Sequence, residues 1–503
     1  MRTLYRAGRV RTLGVPALGE WLLVDERHVE RVGSGDPPSA DRVVELPGTT
    51  VIPGFVDAHV HLIGTGLSML GIPIERARSA EELLGIVAEE ITHAPSKVFA
   101  HGFDESGWPH RVLPSLADLD DLTEVPMILV RADGHLALAN SAALRASGAL
   151  DIEGVERDAD GRPTGVLRRA ANERAQRWFH DSLSDHEVRE LQLEAASLAA
   201  SRGVTAVHEM SIPAQRGRRE VEVLLAHRAR LPVEVVPYVA DTDLPFVLDL
   251  GLGTLGGDLT IDGSLGARTA ALLDGYADAD GDGVLYRDDD ELAPLFHNAH
   301  LAGLQVSVHA IGDRAIEQTL RVWERVYHAL DSRERRHFRA RRHRVEHFEM
   351  ADAGQIERAA MLGLAISVQP AFDAAWGHPG GLYEQRLGER RATGMNPFAT
   401  LLARGLAVGA GSDAPITDLD PMLGIWAVEH HHDPGQRLGR EDAVHLFTTG
   451  AAGLARQEDK RGRLQPGMSA DFAAYDDDPV TVPDPRGVRP VLTVSRGREV
   501  FAR

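Results

Sequence analysis

The 503-residue chain has no cysteine, which excludes disulfides, thiolate metal sites and cysteine nucleophiles. Lysine is almost missing too, with Lys97 and Lys460 the only two. Positive charge is outweighed: 54 basic residues face 75 acidic ones, for a net charge of −21. A nucleic-acid partner, whose phosphates would be repelled, is therefore not expected. The one basic run, RERRHFRARRHR at 333–344, reads as a solvated helix face. No stretch approaches the roughly 20 apolar residues of a membrane span, and the opening MRTLYRAGRV lacks the apolar core of a signal peptide. The expectation is a cytoplasmic protein that neither enters nor binds a membrane, and one too long for a single small core.

Strand-like apolar runs recur eight times: 54–61, 203–210, 233–240, 258–264, 304–313, 343–349, 364–370 and 406–415. Helix-like segments lie between many of them, such as 290–303 with its closing glycine. Alternation of strand and helix eight times predicts an α/β fold, a (β/α)8 TIM-like barrel. Reactive groups in that fold sit at the C-terminal ends of strands, where these runs place His61, Glu209, Asp262, His309, His347 and Asp413. The barrel is expected over 53–460. Residues 65–190 carry strand and helix signals of their own and read as an inserted lid or substrate segment. Short strand-like runs in 1–52 and 461–503 predict a composite β-sandwich built from both ends.

The motif IPGFVDAHVHL (52–62) sets two histidines one residue apart, so His59 and His61 face the same way along a strand. PGFVDAHVHL, with His309, His347 and GSDAP further on, resembles the metal-dependent amidohydrolase superfamily. DGSLGARTAAL, VHAIGDRA, RVEHFE and SVQP are similar to its YtcJ-like branch, amidohydrolase family 3. So are RADGHLALANSAAL and RPTGVLRRAA in the insert, and GRLQPGMSADFAAYD resembles the superfamily's returning β-sandwich segment. The resemblance covers nearly the whole chain.

His59, His61, His309 and Asp413 together offer the mixed nitrogen and oxygen set that suits Zn2+. Such an ion polarises a carbonyl and supplies hydroxide at neutral pH. Asp413 is the candidate proton carrier, general base and then general acid. Many relatives bridge two metals with a carboxylated lysine four residues before DGSLG; here that position is Asp258, several atoms shorter, and neither Lys97 nor Lys460 is placed to substitute. One ion per chain is the resulting expectation, with His347 as a catalytic oxyanion partner. Glu209 is an alternative ligand.

Candidate substrate contacts are Asp104, Trp108, Asp133, His135, Asp262 and Arg268, with Arg131 or Arg268 able to clamp a carboxylate bidentately. DADGDGVLYRDD (278–289) copies EF-hand spacing, but position 12 is Asp and no convincing helix precedes it, so a surface loop is expected. HHH at 430–432 lies before the turn signal DPG and reads as a solvent loop. The function expected is hydrolysis of a non-peptide C–N bond, amide or N-acyl, in a small molecule. A deaminase of an amino-heterocycle on the same site and a catalytically inactive scaffold are the alternatives. A homodimer is the one assembly considered.

Overall fold

The computed structural model describes residues 1–91 and 96–503. Parallel strands run through its centre in two sheets. β1 (Phe55–Val60), β2 (Val204–Ser211) and β3 (Glu234–Val239) form the first, with β2 in the middle. β4 (Thr254–Leu255), β5 (Gln305–Ala310), β6 (Arg344–His347), β7 (Ala365–Val368) and β8 (Ala407–Ala410) form the second in chain order. Strands β1, β2, β5, β6 and β7 are buried at every residue, as in parallel sheets covered on both faces. Helices between them are amphipathic. The helix Asp313–Ala329 sets Ile316, Leu320 and Trp323 at helical spacing into the main core.

Neither sheet closes on itself, but hydrogen bonds join their edges. Gly256 N donates to Val239 O at 2.8 Å beside β3. Beside β1, Asp413 N donates to His59 O at 2.8 Å and His61 N donates to Ala414 O at 2.9 Å. Both seams depend on glycine. A Cβ at Gly411 would overlap the backbone nitrogen of His59, and one at Gly256, where φ is +93°, would overlap the carbonyl of Ser307. The chain is thus a mixed α/β fold.

Seven of the eight expected runs contain a strand; 258–264 does not. The strand in that slot is the two-residue β4, and Gly256 and Gly257 (φ +93° and +82°) break the ladder after it. Pairing resumes only at an isolated bridge between Thr260 and His309.

Between β1 and β2 the chain builds a separate five-stranded sheet, in the order Val98–Phe103, Met127–Arg131, Leu136–Ala139, Pro163–Arg168, Val155–Arg157. Strands from both ends share one seven-stranded sheet. There Phe472–Tyr475 pairs antiparallel with the end of Arg42–Pro53, which runs parallel to Arg2–Arg11. No helix among the described residues is long and apolar enough to cross a membrane.

Candidate metal centre

His59 and His61 leave the end of β1 on one face, and Asp413 follows β8 across the seam. His59 Nε2 lies 3.4 Å from both Asp258 Oδ2 and Asp413 Oδ1. His61 Nε2 lies 2.9 and 3.2 Å from the same two oxygens. The other oxygen of Asp258, Oδ1, is 3.6 Å from His309 Nδ1 and 3.7 Å from His347 Nε2. Two donor groups, His59–His61–Asp258–Asp413 and Asp258–His309–His347, therefore share one carboxylate.

All six residues are buried. His59 Nε2, Asp258 Oδ1, Asp413 Oδ1 and His347 Nε2 have no hydrogen-bond partner among the described residues. Buried polar atoms are rarely left so, and here they converge on one another. The donor set, four imidazoles and two carboxylates, fits divalent ions that take nitrogen and oxygen. Asp258, expected to be too short to bridge at the depth of a carboxylated lysine, lies within 3.7 Å of donors in both groups. The break at Gly256–Gly257 takes Asp258 off the strand ladder and offsets its short side chain.

The groups behind the donors fix which nitrogen faces the centre. His59 Nδ1 donates to Glu346 Oε2 at 3.0 Å, and His61 Nδ1 donates to Met210 O at 2.8 Å. His309 Nε2 donates to Gly263 O at 3.2 Å. Glu346 also accepts from Ser307 and from Arg344 Nη2, the latter at 2.9 Å. Burial alone would push Glu346 up, but the Arg344 guanidinium and the His59 contact bring it down to about 2. His347 and Asp413 hold left-handed backbone (φ +71° and +56°), as does Phe348 at +54°. Such positions cost about 1–3 kcal/mol each and cluster at functional sites.

The other predicted contacts divide. Asp133 and His135 line the cavities on both sides of the centre, whereas Trp108 is buried away from it with Nε1 donating to Ala77 O at 2.9 Å. The Asp262 carboxylate accepts from Ala271, Ile311 and Gly312 backbone amides at 2.8–3.0 Å and is engaged in holding the loop. Asp104 lines a cavity but is held by Arg131 at 2.6 Å. Arg131, read as a possible substrate clamp, also pairs with Glu105 and Asp133 at 2.8 and 2.7 Å. Arg268 is likewise taken, bidentately, by Asp278 at 2.7 and 3.1 Å. Glu209 is no ligand: it accepts from Leu62 N at 2.7 Å and Ser211 Oγ at 3.2 Å.

In the EF-hand-like loop, Asp278, Asp282 and Asp289 are paired with arginines. The HHH run is no solvent loop beyond His430. His431 is fully buried, and His432 donates to Asp373 and to Ala392 O, closing a structural knot whose nitrogens are all used.

A cavity lies on each side of the donors. One is lined by His61, Asp258 and Asp413 together with Phe99, His101 and Arg216. The other runs past His309 and His347 to Leu265, Phe372, Trp376 and Tyr383. Arg216 and Asp258 carried no motif signal of their own beyond Asp258's place in register with the missing lysine.

The geometry is that of a metal-dependent hydrolase. The model of the amidohydrolase family matches residues 42–501, and the chain belongs to that family. It is 30% identical over 497 residues to YtcJ of Bacillus subtilis (strain 168), covering 91% of this chain and 89% of that one. It is 25% identical over 503 residues to the N-substituted formamide deformylase of Arthrobacter pascens, covering 88% and 86%. Among solved structures, a metal-dependent hydrolase from Pyrococcus horikoshii OT3 superposes with a TM-score of 0.78 at 26% identity, covering 96% of this chain and 99% of that one.

Proposed function

We propose that the protein hydrolyses a C–N bond of an amide or N-acyl small molecule, and that His59, His61, His309, His347, Asp258 and Asp413 would hold two divalent ions, preferably zinc, with Asp258 within reach of both donor groups. The observation that carries this is the convergence of four orphaned buried atoms, one from each of His59, Asp258, Asp413 and His347, around one shared carboxylate. Bound divalent ions supply Lewis acidity and a nucleophile usable at neutral pH. Asp413 accepts the proton of the attacking water and delivers it to the leaving nitrogen. Glu346, Met210 and Gly263 hold the imidazoles in the ligating tautomer. His347, first read as an oxyanion partner, would instead help His309 and Asp258 hold an ion. The deformylase relative is named for cleavage of the same kind of bond.

In this reading the two parallel sheets make one (β/α)8 barrel over 53–460. The 65–190 insert covers its mouth, and a β-domain of 1–52 with 461–503 stands beside it. Metal analysis of purified wild type and Asp258→Asn tests the centre. Two equivalents per chain are expected, falling to one or none in the variant. One equivalent in both proteins would sink the bridge.

A further inference from the structure

Arg216 ends the short helix Pro213–Arg216 that directly follows β2. Its guanidinium lines the same cavity as His61, Asp258, His309 and Asp413. Nη1 is buried and has no hydrogen-bond partner among the described residues. The other arginines near the centre are not in this position, since Arg131 and Arg344 are each paired with carboxylates. Arg216 as a whole is half-buried, but a guanidinium N–H shielded from water and left without an acceptor has capacity for an anionic partner.

Among the described residues no carboxylate forms an ion pair or hydrogen bond with Arg216. Glu209 is spent on Leu62 N and Ser211. Both oxygens of Glu220 are buried without a hydrogen-bond partner among the described residues, and burial pushes that carboxyl up to about 8 against the pull of the Arg216 charge. His101 and His180 share the cavity, and burial together with Arg216 drives both down, His101 to about 4. The rest of the wall mixes apolar Leu67, Phe99 and Ile212 with polar Gln176, Gln215 and Thr260, and its Asp133 is already paired with Arg131. Gly64 leaves the guanidinium its space: a Cβ there would come within 3.1 Å of Arg216 Nη2. The second cavity, beyond His309 and Asp413, offers aromatic and aliphatic surface from Phe372, Trp376, Leu382 and Tyr383.

We propose that Arg216 binds a carboxylate of the substrate. The substrate is then an amide with a carboxylate on one side of the scissile bond and an aromatic or aliphatic group on the other. This rests on the C–N hydrolase reading above. Water adds across the bond, leaving the hydroxyl on the acyl carbon and the proton on the released nitrogen.

The test compares kcat/KM of the metal-loaded enzyme on N-benzoylglycine and on N-propylbenzamide, which lacks the charge. A charge-assisted pair predicts a preference of about 10- to 100-fold for the carboxylate in wild type. In Arg216→Met the ratio falls to near one, with metal content and melting temperature retained. Arg216→Lys, which keeps the charge without the fork, retains part of the preference and decides the matter if Arg216→Met does not fold. A wild-type ratio near one, or a ratio that survives Arg216→Met, overturns the proposal. If the holoenzyme hydrolyses neither compound, the hydrolase reading fails for amides of this type. Calorimetric titration of the same holoenzyme then judges Arg216 separately. Tighter binding of N-benzoylglycine than of N-propylbenzamide in wild type but not in Arg216→Met sustains the proposal, and equal binding ends it.

Discussion

Replacing Glu346 with Gln keeps the size of the side chain and removes its charge. Glu346 is wholly buried between His59 Nδ1 at 3.0 Å, Arg344 Nη2 at 2.9 Å and the hydroxyl of Ser307. Two separable losses follow. The first is stability, because Arg344 is itself wholly buried and would be left without a counter-charge. Breaking a buried ion pair from one side costs about 3–5 kcal/mol. The low end applies here, as Arg344 keeps Ala58 O and His208 Nδ1, each at 3.0 Å. The second loss is metal affinity. An amide oxygen orients His59 less firmly than a carboxylate, and such changes typically cost about 10- to 100-fold. Urea denaturation of the metal-free protein reads the first, and competition with a chelator of known affinity reads the second. Glu346→Asp, which keeps the charge, should recover stability more than affinity. Wild-type metal affinity in Glu346→Gln would refute the view that this carboxylate tunes the centre.

Asp413→Asn should retain part of the metal while the rate falls by about 10²–10⁴-fold, and single-turnover kinetics at matched metal content would detect a smaller effect. His347→Asn should bind one equivalent less than wild type by elemental analysis; unchanged content would return His347 to a role without metal. Burial would raise the Asp133 carboxyl, but the Arg131 guanidinium wins and holds it at about 2. That depression contributes stability present above about pH 4 and lost as pH falls toward 2. Asp133→Asn should therefore cost about 2 kcal/mol at neutral pH and nearly nothing at pH 2, and an equal cost at both in urea titrations would contradict it. Gly411→Ala should destabilise by about 3 kcal/mol or more and reduce bound metal, because the added Cβ collides with the backbone of His59; a normal melting temperature would show that the seam yields.

Much of the centre is legible because β-strand geometry is simple. Two histidines at i and i+2 must share a face, and strand ends collect at one side of parallel sheets, so His59, His61, His309, His347 and Asp413 could be gathered from spacing. Asp258 could not be read this way. Its reach depends on two consecutive glycines in left-handed backbone, and no side-chain count reveals that bend. The arginines misled for a different reason. Arg131 and Arg268 have the shape of carboxylate clamps, but occupancy depends on how the chain folds back: Asp104 and Glu105 reach Arg131 from another loop, and Asp133 and Asp278 return to Arg131 and Arg268 from further along their own segments. Arg216, which no motif marks, is the one beside the centre left without a partner among the described residues.

The seven-stranded sheet also constrains the order of events on the ribosome. The edge of Arg42–Pro53 that pairs with Phe472–Tyr475 must wait until about 420 further residues have been made. At about 5–20 residues per second that is roughly 20–80 s. During this interval the stretch Thr50–Pro53, which leads straight into the histidine-bearing strand, lacks one of its two neighbours. The first ligands are therefore made long before the wall beside them is finished.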